Sequence, residues 1–377
     1  TVGNGVSRLN YPMIDGKVVG CPHHILEPQS INLFTYSEQL DASDWIKDDI
    51  SVASNLIISP TGLLNADKIV ENTISSVHSI AQSKGGAGVF TYTSSVFAKT
   101  SNNDRYLQIW IGNTINAAVW VRFDLDNGII TQDNGVAGTG YSINSSKIEY
   151  YGNGWYRCSF SVNKLNTTGT NTVQFRLSQI STGAESNVYT GDGTSGIYIW
   201  GTQVEQAISY PTSYIPTNGS TVTRSAETAN GSGDASTFND SEGVLMAEIS
   251  ALANDGTNRF ISLKNNTTVD IIRIGYITTS NRIEIQNYKA GALFNLFNYE
   301  FQDVKTNSKI AFKWKDNDFQ LYINGLNVLS NTSVTAWGSG VFQSLQFDQH
   351  NGSNDFYGNT KQVQYYDSAL TDSELEQ

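Results

Sequence analysis

Residues 196–227 read GIYIWGTQVEQAISYPTSYIPTNGSTVTRSAE, and this stretch decides the fold class. Ile197, Tyr198, Ile199 and Trp200 form an unbroken β-branched and aromatic run, the pattern of a strand buried on both faces. Pro211 and Pro216 follow. Proline has no N–H to give a ladder, so Tyr210 to Thr217 are expected to leave the sheet and run along its edge. The stretch then leads into small residues without an apolar period, ending in NGSGDAST, the composition of a linker. One segment closes a first domain and opens a second.

Upstream, a period of two recurs. In YLQIWI, Leu107, Ile109 and Ile111 face one way while Tyr106, Gln108 and Trp110 face the other. In VWVRFDL, Val119, Val121, Phe123 and Leu125 oppose Trp120, Arg122 and Asp124. Tyr156, Cys158, Phe160 and Val162 alternate with Arg157, Ser159 and Ser161, as do Val173, Phe175 and Leu177 with Gln174, Arg176 and Ser178. These read as half-buried antiparallel strands. The aliphatic sets are assigned to a core. Tyr106, Gln108, Trp110, Trp120 and Arg122 then share the outer face and form a patch if their strands are neighbours. Such a patch suits sugar rings, with Gln108 and Arg122 as donors. It equally suits an interface covered by the N-terminal segment, the second domain or another subunit.

Downstream, DIIRIGYITTSNRIEIQNY is a hairpin pattern, and KIAFKWKDNDFQLYINGLNVL contains two tight turns, the second at Asn324-Gly325. Thr371 and Glu374 form a capping box. The chain of 377 residues is long enough for two domains. The expected organisation is all-β: two antiparallel β-sandwich (jelly-roll) domains in tandem. An irregular lead-in covers 1–25, the first sandwich 26–229, a linker 230–237 and the second sandwich 238–377.

Charged residues make up 15% and aromatics 11%, with a net charge of −12 and pI near 4.7. An acidic chain is poorly suited to nucleic acid or to anionic membrane surfaces. No apolar run approaches the ~20 residues of a membrane span. Two cysteines, Cys21 and Cys158, make no disulfide scaffold, and free thiols are expected.

Three phrases carry a resemblance. LEPQSINLFTYSEQLDASDWIK (26–47), GNGWYRCSFSV (152–162) and the closing stretch from 196 resemble the carbohydrate-binding-like β-sandwich modules of phage tail fibres, head fibres and spikes. The match covers about 20–227. Residues 238–377, with FYG and YYDSALTDSEL as their most specific phrases, are similar to concanavalin A-like and laminin-G-like jelly rolls. The resemblance implies a virion-surface β module and does not by itself imply a ligand. The expected role is a non-enzymatic structural or adhesion protein of fibre, spike or decoration type, with binding of host or environmental glycans. Expected partners are bacterial surface or extracellular polysaccharide, other virion proteins and further copies of the chain. The alternative is a secreted glycan-active lyase or hydrolase, or its accessory binding module.

No catalytic constellation stands out, and no cofactor or metal is expected. Cys21-Pro-His23-His24 lacks the second cluster a zinc site needs. The glycines at 85–88 have no Lys-Ser/Thr after them, so they form no phosphate loop. QNYKAG at 286–291 faintly resembles an alginate-lyase phrase, but the companion phrases are missing. A glycosidase needs two carboxylates facing one bond. Only Glu248, within an apolar run, draws attention. Asp348, Asn354 and Asp355 share a loop and offer oxygen ligands for calcium, though such residues more often form turns.

Overall fold

Side-chain alternation builds two separate cores. The computed structural model describes residues 8–377 apart from 12, 15–16, 19, 85–87, 102–104, 115–116, 166–168, 185–187, 268 and 339. All the strand pairs that build its four large sheets are antiparallel, and the sandwich reading holds. The domain boundaries differ from those expected. One unit, here the inserted unit, comprises Gln29–Ser225 with 13–18. The other, the flanking unit, comprises 8–11, Gly20–Pro28 and Ala226–Gln377.

The inserted unit pairs two six-stranded sheets. The first runs in the order Ile129–Ala137, Ala117–Asp124, Tyr106–Thr114, Asn171–Ser178, His78–Lys84 and Ile46–Asp48. The second runs Tyr141–Gly152, Trp155–Lys164, Thr91–Thr100, Gly196–Gln206, Leu64–Glu71 and Ile50–Ile58. Every aliphatic set expected inside is inside: Leu107, Ile109, Ile111, Val119, Val121, Phe123, Phe160, Val162, Phe175, Ile197 and Ile199 share one core. Each such side chain contributes about 1.5–3 kcal/mol by leaving water. Cys158 is buried among them and Cys21 is exposed; both are free thiols.

The proline segment does not run along the sheet edge. It lies over the outer face, gripped by side chains that point away from the core. Glu205 accepts from Thr212 N–H at 3.0 Å, from the Thr212 hydroxyl and from Ser30 Oγ. Gln203 accepts from Ile215 N–H at 2.7 Å, and Arg157 donates to the Thr212 carbonyl at 2.6 Å. Asn32 donates to the Thr202 and Ile215 carbonyls. Tyr214 packs against Trp200, ring centroids 4.7 Å apart, over Phe97 and Trp155. A segment barred from the ladder thus has its polar groups met by side chains. Ser30 and Asn32 come from the first of the three resembling phrases, Arg157 from the second, and Gln203, Glu205 and Thr212 from the third. Those phrases converge on this clasp.

The flanking unit pairs a seven-stranded with a six-stranded sheet. The seven run Arg8–Asn10, His23–Leu26, Gly358–Tyr366, Glu242–Ala251, Ser308–Lys315, Phe319–Ile323 and Leu326–Asn331. The six run Asn230–Ser232, Ser344–Gln346, Arg259–Lys264, Ile271–Tyr276, Arg282–Lys289 and Ala292–Glu300. Two expectations are corrected here. The lead-in 1–25 is not irregular throughout, because Arg8–Asn10 and His23–Leu26 extend a sheet. The linker 230–237 is not a linker throughout, because Asn230–Ser232 is a strand against Ser344–Gln346. Arg8 fixes the entering chain: it donates to Glu27 and to Glu227, and Glu227 also accepts Glu27 N–H at 2.9 Å. The Asn324-Gly325 turn has φ of 51° and 79°, as a two-residue hairpin requires. Glu374 accepts from Thr371 N–H at 2.8 Å, closing the capping box over buried Leu375.

Candidate functional site

The expected patch does assemble in register. Gln108 pairs with Arg122 and Trp110 with Trp120 across neighbouring strands. It is not an open face. Gln108, Trp110, Trp120 and Arg122 are all buried, and only Tyr106 keeps partial exposure. The Ile129–Ala137 strand shifts register beside Trp120 and Arg122 and brings Gly135 onto the Trp120 indole. The Arg176 guanidinium stacks on Trp110, 4.5 Å from the ring centroid. Arg122 donates to Gln108 Oε1 and Gln132 Oε1, both at 2.8 Å, and to the Gly183 and Ala184 carbonyls. Burial lowers its pKa. Each guanidinium nitrogen ends on protein. This is a second, polar-lined layer of packing, and the four buried side chains offer no open face to a sugar.

An open cleft of about 430 Å³ lies elsewhere on the inserted unit, lined in part by Thr100, Asp126, Asn127, Gly128, Tyr150 and Tyr156. The turn that forms one side follows from its sequence. Asp124 accepts the N–H groups of Asp126 and Asn127 and the Asn127 side-chain amide, and Gly128 takes a φ of 65° that other residues rarely adopt. Asp124 spends both oxygens on this turn. The Asp126 carboxylate makes no hydrogen bond or ion pair with any described residue, and Asp126 is exposed. The rings of Tyr150 and Tyr156 sit 5.2 Å apart. Tyr150 is 37% exposed, and its hydroxyl accepts Gly154 N–H at 3.3 Å. Burial raises the Tyr156 pKa, as do Tyr150 and the two aspartates. An exposed ring and a half-buried one beside a free carboxylate and an amide can stack on a sugar and hold its hydroxyls. The sequence signal for the turn is Asp126-Asn127-Gly128; nothing local in KIEYYGNG (147–154) shows that Tyr150 meets it.

The remaining sequence candidates have structural partners. Glu248 binds Lys361 at 2.6 Å, Asn307 at 2.7 Å and Gln362 at 2.9 Å. Burial pushes its carboxyl up, and these three partners more than reverse the shift, leaving it below the usual range. Asp348 accepts from Asn230 and from His350 N–H, Asp355 from the Tyr357 hydroxyl, and Asn354 donates to Gln349. Among the described residues no three His, Cys, Asp or Glu side chains cluster as metal ligands. No helix among them is long and apolar enough to cross a membrane. The glycine turn at 85–88 falls, except for Gly88, outside the described residues.

No family model and no curated protein matches the chain. Among solved structures, it is similar to the CBM40 domain of the Ruminococcus gnavus IT-sialidase bound to α2,3-sialyllactose, at 15% identity over 39% of this chain and 92% of that one, TM-score 0.33. It is similar to domains LG4-5 of the mouse laminin α1 chain at 10% identity over 80% and 90%, TM-score 0.24. It is similar to the Trypanosoma rangeli sialidase in complex with sialic acid at 10% identity over 82% and 59%, TM-score 0.30. Likenesses this distant speak to neither ligand nor activity.

Proposed function

We propose that the chain is a non-enzymatic glycan-binding protein of surface-adhesion type, and that the Tyr150/Tyr156 cleft is where it holds sugar. The observation that carries this is the pairing of the exposed Tyr150 ring and the half-buried Tyr156 ring with the unspent Asp126 carboxylate in one open cleft, beside the Asn127 amide that is bonded to Asp124. Asp126 is the single carboxylate in the lining. Hydrolysis of a glycosidic bond calls for two, which supports binding without turnover. The resemblance to phage fibre and spike modules supports a place on a virion surface, with bacterial polysaccharide as ligand and other virion proteins and further copies of the chain as neighbours.

A glycan array run beside a reducing-sugar assay tests the reading. Retention of a polysaccharide without product release, weakened at least tenfold in Tyr150→Ala with unchanged thermal stability, is the expected result. Release of reducing ends would replace it with the enzyme alternative. Unchanged retention in Tyr150→Ala would move the site elsewhere.

A further inference from the structure

Arg273 occupies the middle of the outer face of the flanking unit's six-stranded sheet. Gln346, Ser262, Arg273 and Gln286 are successive cross-strand partners over four strands. Their sequence neighbours Ile261, Leu263, Ile272, Ile274 and Ile285 fill the core, so this row faces the other way. The Arg273 side chain is 6% exposed. Its guanidinium lies 4.6 Å from the Tyr288 ring centroid and 6.0 Å from that of Phe260.

Its acceptors are neutral side chains: Gln286 Oε1 at 3.1 Å and His350 Nδ1 at 2.7 Å. No described carboxylate comes within ion-pair range of it. Arg8, Arg105 and Arg259 each meet a carboxylate. Arg122 and Arg157, which do not, end on backbone carbonyls. Arg273 has neither. Its Nε has no partner, nor has the Ser262 hydroxyl directly across the strand, which is fully buried. A cation taken from water without a counter-ion is costly. Two unspent donors lie beside it. Lys264 is close enough to disfavour protonation of His350, as Arg273 does. Glu284, on the same face, receives the Gln286 amide at 2.7 Å.

His350 sits at φ +99°, a conformation that L side chains rarely adopt and that stores strain where it is held. It occupies the place an anion would take on Arg273.

We propose that this face is a second binding site, for a carboxylate or sulfate group carried on a sugar, with Arg273 as its charge partner and Ser262 and Lys264 as supporting donors. The Gln286 and Gln346 amides suit the hydroxyls of such a sugar. The saccharide identity rests on the glycan reading above; the anion site does not.

Calorimetric titration of the intact chain tests it with three ligands: an oligogalacturonate for carboxylate, a sulfated carrageenan oligosaccharide for sulfate, and a neutral glucan oligomer. Saturable binding of at least one acidic ligand is expected, weakening with added salt. It should fall at least tenfold in Arg273→Gln, persist in Tyr150→Ala, and tighten in His350→Gly. The two acidic arms show which group is preferred. If Arg273→Gln fails to fold, Ser262→Ala and His350→Gly carry the test. No saturable binding of either acidic ligand would overturn the proposal, as would equal affinity in the variants. Acidic binding lost in Arg273→Gln, with no array ligand weakened in Tyr150→Ala, would sink the cleft reading alone.

Discussion

Gly135 and Trp120 are cross-strand partners in contact closer than any other residue at 135 would permit. A Cβ there would lie 2.3 Å from the indole Cε2. The constraint is steric, since a rigid ring flanked by a second indole has nowhere to go. Gly135→Ala is therefore expected to cost about 1–3 kcal/mol by overpacking. Trp120→Ala is expected to cost about 3–5 kcal/mol by leaving a cavity. Denaturant unfolding of the inserted unit measures both. A variant with wild-type stability at either position would mean that the layer is open after all.

Arg8→Ala should destabilise the flanking unit by about 3–5 kcal/mol, because it strands two carboxylates, Glu27 and Glu227, around one lost cation. Glu27 is 3% exposed. Replacing all three with apolar residues should recover most of the loss. A double-mutant cycle between positions 8 and 227 reads the coupling; a value near zero would mean that the entering strand is held by backbone pairing alone.

His350 is expected to make the flanking unit acid-sensitive in a defined window. Burial, then the Arg273 cation, holds its imidazole down to about 4, against about 6.5 in an unfolded chain. Between those values the unfolded chain takes up a proton that the folded one refuses. Stability is therefore complete above about pH 6.5 and falls as the pH drops through the folded value. After allowance for solvent screening the effect is on the order of 1 kcal/mol. Thermal unfolding of wild type and His350→Gly from pH 7 to pH 4 tests this: the variant should lose that part of the slope. Parallel curves would place the titration elsewhere.

Glu248→Gln should cost about 1 kcal/mol through its contact with the half-exposed Lys361 and leave polysaccharide retention unchanged. The carboxylate lies on the sheet face among three bonded partners, with no second acid among them. A polysaccharide product made by wild type and abolished in this variant would reinstate catalysis at Glu248.

The parts of the fold that were legible are those in which a period of two runs long enough to separate two faces. Leu107 to Ile111 and Ile272 to Ile285 are such cases, and they lie in the cores as read. Periodicity says which face is wet, however, and not what later covers it. Trp110 and Trp120 were assigned to the correct side of their strands. Their cover comes from Gly135 on Trp120 and Arg176 on Trp110, residues whose types advertise nothing. Short strands escape for another reason. Three-residue segments such as Arg8–Asn10 and Asn230–Ser232 carry no period, and backbone pairing places few demands on side chains. Arg8–Asn10 pairs with His23–Leu26, which in turn meets the distant Gly358–Tyr366, and Asn230–Ser232 pairs with Ser344–Gln346 at the other end of the chain. The cleft was half legible, through the Asp126-Asn127-Gly128 turn, because a turn is a local event, whereas the meeting of that turn with Tyr150 is not.

Because Gln29–Ser225 is threaded between two parts of the flanking unit, tension has a preferred route through the molecule. A pull between the N-terminal strand Arg8–Asn10 and the C-terminal strand Gly358–Tyr366 reaches the flanking unit first. Where the chain passes into the insertion and where it returns, Glu27 and Glu227 are bonded backbone to side chain and backbone to backbone, with Arg8 across both. Just inside, Ser30–Asn32 and Val222–Arg224 are zipped together. The neck is short-circuited twice, so force passes from strand to strand without entering the inserted sandwich. The insertion is thereby tied off at its own base, so a pull on the flanking unit's two terminal strands meets the Glu27–Glu227 and Arg8 bonds first.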